Sequence, residues 1–111
     1  MKLPADVVIA QEKLRYYLLL PREENDKSKF LATAGYTLAN WETLDHDLRQ
    51  LAIAQDISNT EPSLYGTKYE VCGQLRGPNG RTLPVVTVWI TLHATGETRL
   101  VTLFPDRRAR Q

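Results

Sequence analysis

The spacing of apolar residues changes once along this chain, near residue 57, and that change constrains the fold more than any other feature. Before it, apolar side chains recur at helical spacing. After it they alternate with a period of two, as in strands with two distinct faces. Helices first and strands second predict an α+β fold. About three N-terminal helices would pack on one face of a C-terminal antiparallel sheet of three to four strands. At 111 residues the chain suits one domain, with a core over about 3–105 and a basic tail at 106–111.

Ala10, Leu14, Tyr17 and Leu18 form the stripe of a first short helix, closed by Pro21. Asn25 or Asp26 is placed to cap a second helix carrying Phe30, Leu31 and Ala34, with Gly35 suited to follow its end. Thr37 or Asn40 starts the third. Trp41, Leu44, Leu48, Leu51 and Ala52 make its apolar stripe, and Glu42, Asp45, Asp47 and Arg49 its polar side.

From Tyr65 onward, Thr67, Tyr69, Val71, Gly73 and Leu75 share one strand face and Lys68, Glu70, Cys72 and Gln74 the other. A second strand alternates Val86, Val88, Ile90 and Leu92 against Val85, Thr87, Trp89 and Thr91, and a third runs from Thr98 to Pro105. Residues 56–62 can add a short edge strand. Taking Val86, Val88 and Ile90 with Tyr69, Val71, Val101 and Leu103 as the buried set predicts an open face bearing Lys68, Glu70, Thr87, Trp89, Leu100 and Thr102. Between the first two of these strands, "RGPNGR" at 76–81 reads as a hairpin turn. It lacks the Lys–Ser/Thr and following helix of a phosphate loop. Arg76 and Arg81 are therefore expected to guide a polyanion and not to do chemistry.

Apolar residues at 42% and charged residues at 24% are ordinary for a folded chain. The longest leucine run is Leu18, Leu19 and Leu20, too short to span a bilayer. One cysteine, Cys72, excludes an internal disulfide or a thiolate metal site, so a reducing, cytoplasmic location without membrane attachment is expected. The net charge of +1 hides an asymmetry. Residues 1–62 carry seven basic and ten acidic side chains, while residues 63–111 carry seven basic and three acidic. A basic half is compatible with a polyanionic partner or with a plain solvated surface.

His46 and His93 lie far apart and have no carboxylate at ligand spacing, so neither a histidine pair nor a metal is expected, and no cofactor motif is present. Lys27 and Lys29 open the second helix, where the macrodipole disfavours cations by about 0.3–1 kcal/mol. A phosphate-facing role would explain them, and so would two loosely held surface lysines. Trp89, if turned outward, suits base stacking or a protein partner, unless the N-terminal segment covers it.

The blocks "DKSKFLATAGYTLANWETL", "YGTKYEV", "GPNGRTLPVVTVWI" and "TRLVTLFP" resemble a bacterial domain family of unknown function. They look like the toxin domains of contact-dependent and polymorphic systems, placed in the barnase/EndoU/colicin/RelE superfamily of metal-independent ribonucleases. The resemblance spans about residues 3–105 and implies helices followed by a four-stranded antiparallel sheet. It implies cleavage of RNA by attack of a ribose 2′-hydroxyl on its phosphodiester, in a toxin-type domain neutralised by a small acidic protein. The matching positions put Lys27, Lys68, Thr87, Arg99 and Thr102 at the chemistry and Lys29, Tyr65, Arg76, Arg81 and Trp89 at RNA binding. No histidine falls at a matching catalytic place. A non-catalytic domain of the same fold that binds RNA or protein is the alternative, and a structural domain using Trp89 as a dimer contact is a third. The oligomeric state is not readable from the residues.

Overall fold

The computed structural model describes residues 1–20 and 27–107. A π-helical segment, Lys13–Leu18, buries Leu14 and Leu18. Helix α1, Ser28–Ala32, buries Leu31. The anticipated caps Asn25 and Asp26, like Pro21, lie outside the described residues. Gly35 follows α1 at φ 93°, a left-handed conformation that glycine adopts without cost. Thr37 opens the next helical stretch: its N–H donates to Asn40 Oδ1 at 2.7 Å, and a 3-10 turn, Leu38–Asn40, leads into α2, Trp41–Ala54. Helix α2 buries Leu44, Leu48, Leu51 and Ala52 of the stripe its spacing predicts, and Trp41, the fifth member, is partly buried against the core.

Four strands follow: β1, Asn59–Pro62; β2, Gly66–Arg76; β3, Thr82–Leu92; and β4, Thr98–Pro105. They form one antiparallel sheet in the order β1-β2-β3-β4, the meander the alternation implies. The far edge of β4 is covered by the chain's own start. Val8 donates to Thr98 O (2.7 Å) and accepts from Leu100 N–H (3.0 Å), a parallel bridge that satisfies an otherwise open edge. One hydrophobic core joins Leu14, Leu18, Leu31, Tyr36, Leu44, Leu48 and Leu51 to Val71, Leu75, Val85, Trp89, Leu100 and Leu103 of the sheet.

The sheet corrects two expectations. Thr87 and Trp89 are fully buried in the interior, not on the open face. The reason is register. Residues 77–81 connect β2 to β3 so that Val71 lies opposite Thr87 and Tyr69 opposite Trp89. Antiparallel partners point the same way, so Tyr69 and Val71 facing inward carry Trp89 and Thr87 with them and turn Val86, Val88 and Ile90 outward. The second correction is in β4. A bulge shifts the pairing so that Val88 lies opposite Thr102 but Trp89 opposite Leu100, leaving Val101 unpaired in the ladder. Leu100 is therefore buried beside Leu103, while Val101 is only partly buried. Thr102 keeps its place outside the core.

The hairpin tip is docked rather than free. Gly77 N–H donates to Arg81 O (2.8 Å) and Gly80 N–H to Gly77 O (2.9 Å), closing the turn. Asn79 then donates from its backbone to Ala34 O (3.3 Å) and from Nδ2 to Thr33 O (3.1 Å). These bonds satisfy carbonyls just past the end of α1, groups that a helix end otherwise leaves to solvent.

Candidate functional site

Register places several charged residues in rows across the outward face. Lys68 lies opposite Ile90, and Ile90 opposite Arg99; Glu61 of β1 continues the row on the other side of Lys68. The next row holds Asn59, Glu70, Val88 and Thr102, and the third holds Cys72, Val86 and Phe104. Neighbouring strands are about 4.8 Å apart and alternate residues along a strand about 6.7 Å, so these rows form a compact grid. Lys68 and Arg99, both exposed, stand two strands apart at about 10 Å, within joint reach of one anion above Ile90. Arg99 donates from Nη2 to Glu97 Oε1 at 2.7 Å. Such an exposed pair contributes only about 0–1 kcal/mol, so it yields readily to a phosphate. Thr102 Oγ1 lies 3.4 Å from Tyr17 Oη, a contact that ties the second row to the π-helical segment.

Beyond the second row the face sinks into a cleft. Glu70, Val86, Phe104, Pro105, Asp106 and Arg107 line a volume of about 440 Å³. Val86 is only 3% exposed although it belongs to the outward face and lies apart from the main core cluster. The end of β4 holds this wall in place, because Asp106 N–H donates to Pro84 O at 2.9 Å. The sequence gives no separate signal for this cleft. It depends on how residues 105–107 continue past β4, which no periodicity encodes.

The remaining residues anticipated from sequence fall elsewhere. Tyr65 is 73% exposed beside Leu64 at the β1–β2 corner, where its carbonyl accepts from His93 N–H at 3.0 Å. Arg76 and Arg81 are exposed at the hairpin base, at the opposite end of β2 from Lys68, about 25 Å away along the strand. Lys27 and exposed Lys29 belong to the start of α1, whose far end docks on that same hairpin tip. Lys68, Arg99 and Thr102 are thus brought onto one face, while Arg76 and Arg81 lie at the other end of β2 and Lys27 and Lys29 at the start of the helix that ends on their hairpin.

Inside the sheet, Thr87 and Trp89 make a buried relay. The indole Nε1–H donates to Thr87 Oγ1 at 2.8 Å, and Thr87 in turn donates to Val71 O at 2.8 Å. Every polar atom the tryptophan brings into the core is satisfied, and Thr87 is spent on that task. A second buried link, also missed from sequence, joins helix to sheet: Tyr36 Oη lies 2.6 Å from Asp47 Oδ2 and 3.3 Å from Arg76 O. Burial, with the neighbouring Asp47 carboxylate, pushes the Tyr36 phenol well above its ordinary range. His46 is exposed on α2 and His93 exposed at a turn, and no group of three His, Cys, Asp or Glu among the described residues could hold a metal ion. Among the same residues no helix is long and apolar enough to cross a membrane.

The family model described as a domain of unknown function (DUF6883) matches residues 2–107. The fold is similar to a chain in the solved contact-dependent growth inhibition toxin–immunity protein complex from Klebsiella pneumoniae 342. The TM-score is 0.69 at 16% sequence identity, covering 89% of this chain and 99% of that one. No curated protein matches the chain.

Proposed function

From the premise that the chain belongs to the DUF6883 domain family, we propose that it is a toxin-type domain that cleaves RNA without a metal, at the outward sheet face around Lys68. The observation that carries this reading is the grid itself: two cations, a carboxylate and a hydroxyl on β2 and β4, facing one another across β3, beside a cleft. The likeness in fold to a chain of a toxin–immunity complex supports it at the level of architecture.

The chemistry follows from what each group can do. Lys68 and Arg99 hold the non-bridging oxygens of a phosphodiester and stabilise the charge that grows there in the transition state. Thr102 donates a hydrogen bond to the same group. Glu70, two residues from Lys68 on the same face, takes the proton of the ribose 2′-hydroxyl as its oxygen attacks phosphorus. The bond to the 5′-oxygen breaks, that oxygen is protonated by water, and the products are a 2′,3′-cyclic phosphate and a 5′-hydroxyl. Thr87 has no part in this because it is sealed in the core.

The purified chain incubated with tRNA and ribosomal RNA in the presence of a chelator provides the test. Cleavage to 2′,3′-cyclic phosphate ends is expected, with Lys68→Ala and Glu70→Gln each lowering the rate by about 10²–10⁴-fold while the fold melts normally. Intact RNA from the wild-type chain overturns the reading. It would favour instead a non-catalytic binding domain, for which the partly buried Val88 and Ile90 between the charged rows provide apolar contact area. For the toxin-type reading a small acidic protein is the expected neutralising partner, covering Lys68 and Arg99 by charge complementarity.

A further inference from the structure

We propose that the cleft walled by Phe104 is a nucleobase subsite, which receives one unpaired base of single-stranded RNA while its phosphate lies over the Lys68 and Glu70 rows. This rests on the cleavage reading above and adds to it the strandedness of the substrate and the residue that recognises it.

Three observations support the assignment. The first is spacing. Phe104 lies one row beyond Thr102 and Glu70, about 6.7 Å along the strands, and two rows beyond Lys68 and Arg99. A nucleotide separates its base from its phosphate by about one such row, so a phosphate over the Glu70 and Thr102 row, reached by the Lys68 and Arg99 side chains from the row beside it, places its base at the cleft. The second is the lining. Val86 and Pro105 offer apolar contact, Phe104 an aromatic ring, and Glu70, Asp106 and Arg107 polar groups at the rim. A base needs this mixture, an aromatic or apolar surface for its faces and hydrogen-bonding groups for its edge. The third is size. About 440 Å³ lies within the range of roughly 300–1,000 Å³ typical of small-molecule sites and accommodates a base with its sugar.

A base held in a duplex presents no free face to Phe104, so the subsite selects unpaired RNA. Stacking of this kind contributes enough that loss of the ring should weaken binding by about ten-fold or more.

The test uses the intact chain and short RNA oligonucleotides. Phe104→Ala should raise KM for a single-stranded oligonucleotide about ten-fold with kcat much less affected, and Phe104→Tyr should restore it. Replacing the nucleotide beside the cleaved bond by an abasic ribose should cost the wild-type chain the same factor. Applied to Phe104→Ala, that replacement should cost little more, because both changes remove one interaction. Equal KM for wild type and Phe104→Ala, or costs that multiply independently, overturns the subsite while leaving cleavage by Lys68 and Glu70 standing. If the wild-type chain cleaves nothing, equilibrium binding of the same oligonucleotides decides. Weaker binding on Phe104→Ala or abasic substitution upholds the subsite, and unaltered binding removes it. A duplex of the same sequence bound as tightly as the single strand also counts against it.

Discussion

At the scale of single residues, Trp89 shows how a polar atom on a large apolar side chain is made compatible with the core. Its indole N–H needs an acceptor once water is excluded, and Thr87 supplies one without facing solvent. Thr87→Val keeps the shape but strands that N–H, so it should cost about 1–3 kcal/mol, read as a shift in urea midpoint. Combining it with Trp89→Phe, which removes the donor, should cost less than the sum of the two. Tyr36 is the second such case, and its protonation carries a pH signature. The folded state holds the phenol neutral, so the stability it contributes is full below the ordinary tyrosine pKa of about 10 and declines as pH rises beyond it. Tyr36→Phe, lacking the bonds to Asp47 and Arg76, should be less stable at pH 7 yet lose less on going to pH 11. Urea midpoints of both proteins across that range would show it, and parallel curves would mean that the buried phenol is not what titrates.

At the scale of elements, the hairpin of residues 76–81 carries more of the fold than its turn chemistry implies. A Cβ at Gly77 would run into the Ala34 carbonyl, whereas one at Gly80 meets nothing and faces only the cost of φ 89°. Gly77→Ala should therefore lower stability by about 1–3 kcal/mol and loosen α1, and Gly80→Ala by only about 1 kcal/mol, as thermal unfolding would show. The same loop explains which parts of the sheet were legible in the residues. Strand β2 alternates polar and apolar side chains, so Lys68 and Glu70 could be turned outward from sequence alone. Strand β3 has no charged residue between Thr82 and Leu92, and both of its faces are apolar or threonine. Only its register against β2 decides which face is inward. In β4 the choice between Leu100 and Val101 rests on a bulge, and no propensity separates two adjacent apolar residues.

At the scale of the whole molecule, the cations that the sequence singles out for function fall into two groups. Lys68 and Arg99 meet at one end of the outward face because their strands pair there. Their convergence was readable in part, through the parity of β2, while the adjoining cleft was not, since its wall is built by the chain after β4. Lys27 and Lys29 instead stand at the start of α1, whose far end docks on the hairpin that Arg76 and Arg81 flank. Helix α1 buries Leu31 in the core beneath the sheet and its far end meets the hairpin tip, whereas Lys68 and Arg99 stand on the outward face about 25 Å along β2 from the hairpin base, which sets Lys27 apart from a phosphate held there. A longer RNA can bridge both groups. Lys27→Ser combined with Lys29→Ser should therefore leave cleavage of a trinucleotide within about two-fold of wild type. On an RNA of twenty or more nucleotides the same change should weaken binding and flatten its salt dependence, by about 0.7 in the slope of log K against log salt for each phosphate that is no longer neutralised. Initial rates on the two substrates and a salt titration of the longer one measure this directly. A large loss on the trinucleotide would place Lys27 at the reacting phosphate and contradict the separation that the docked hairpin enforces.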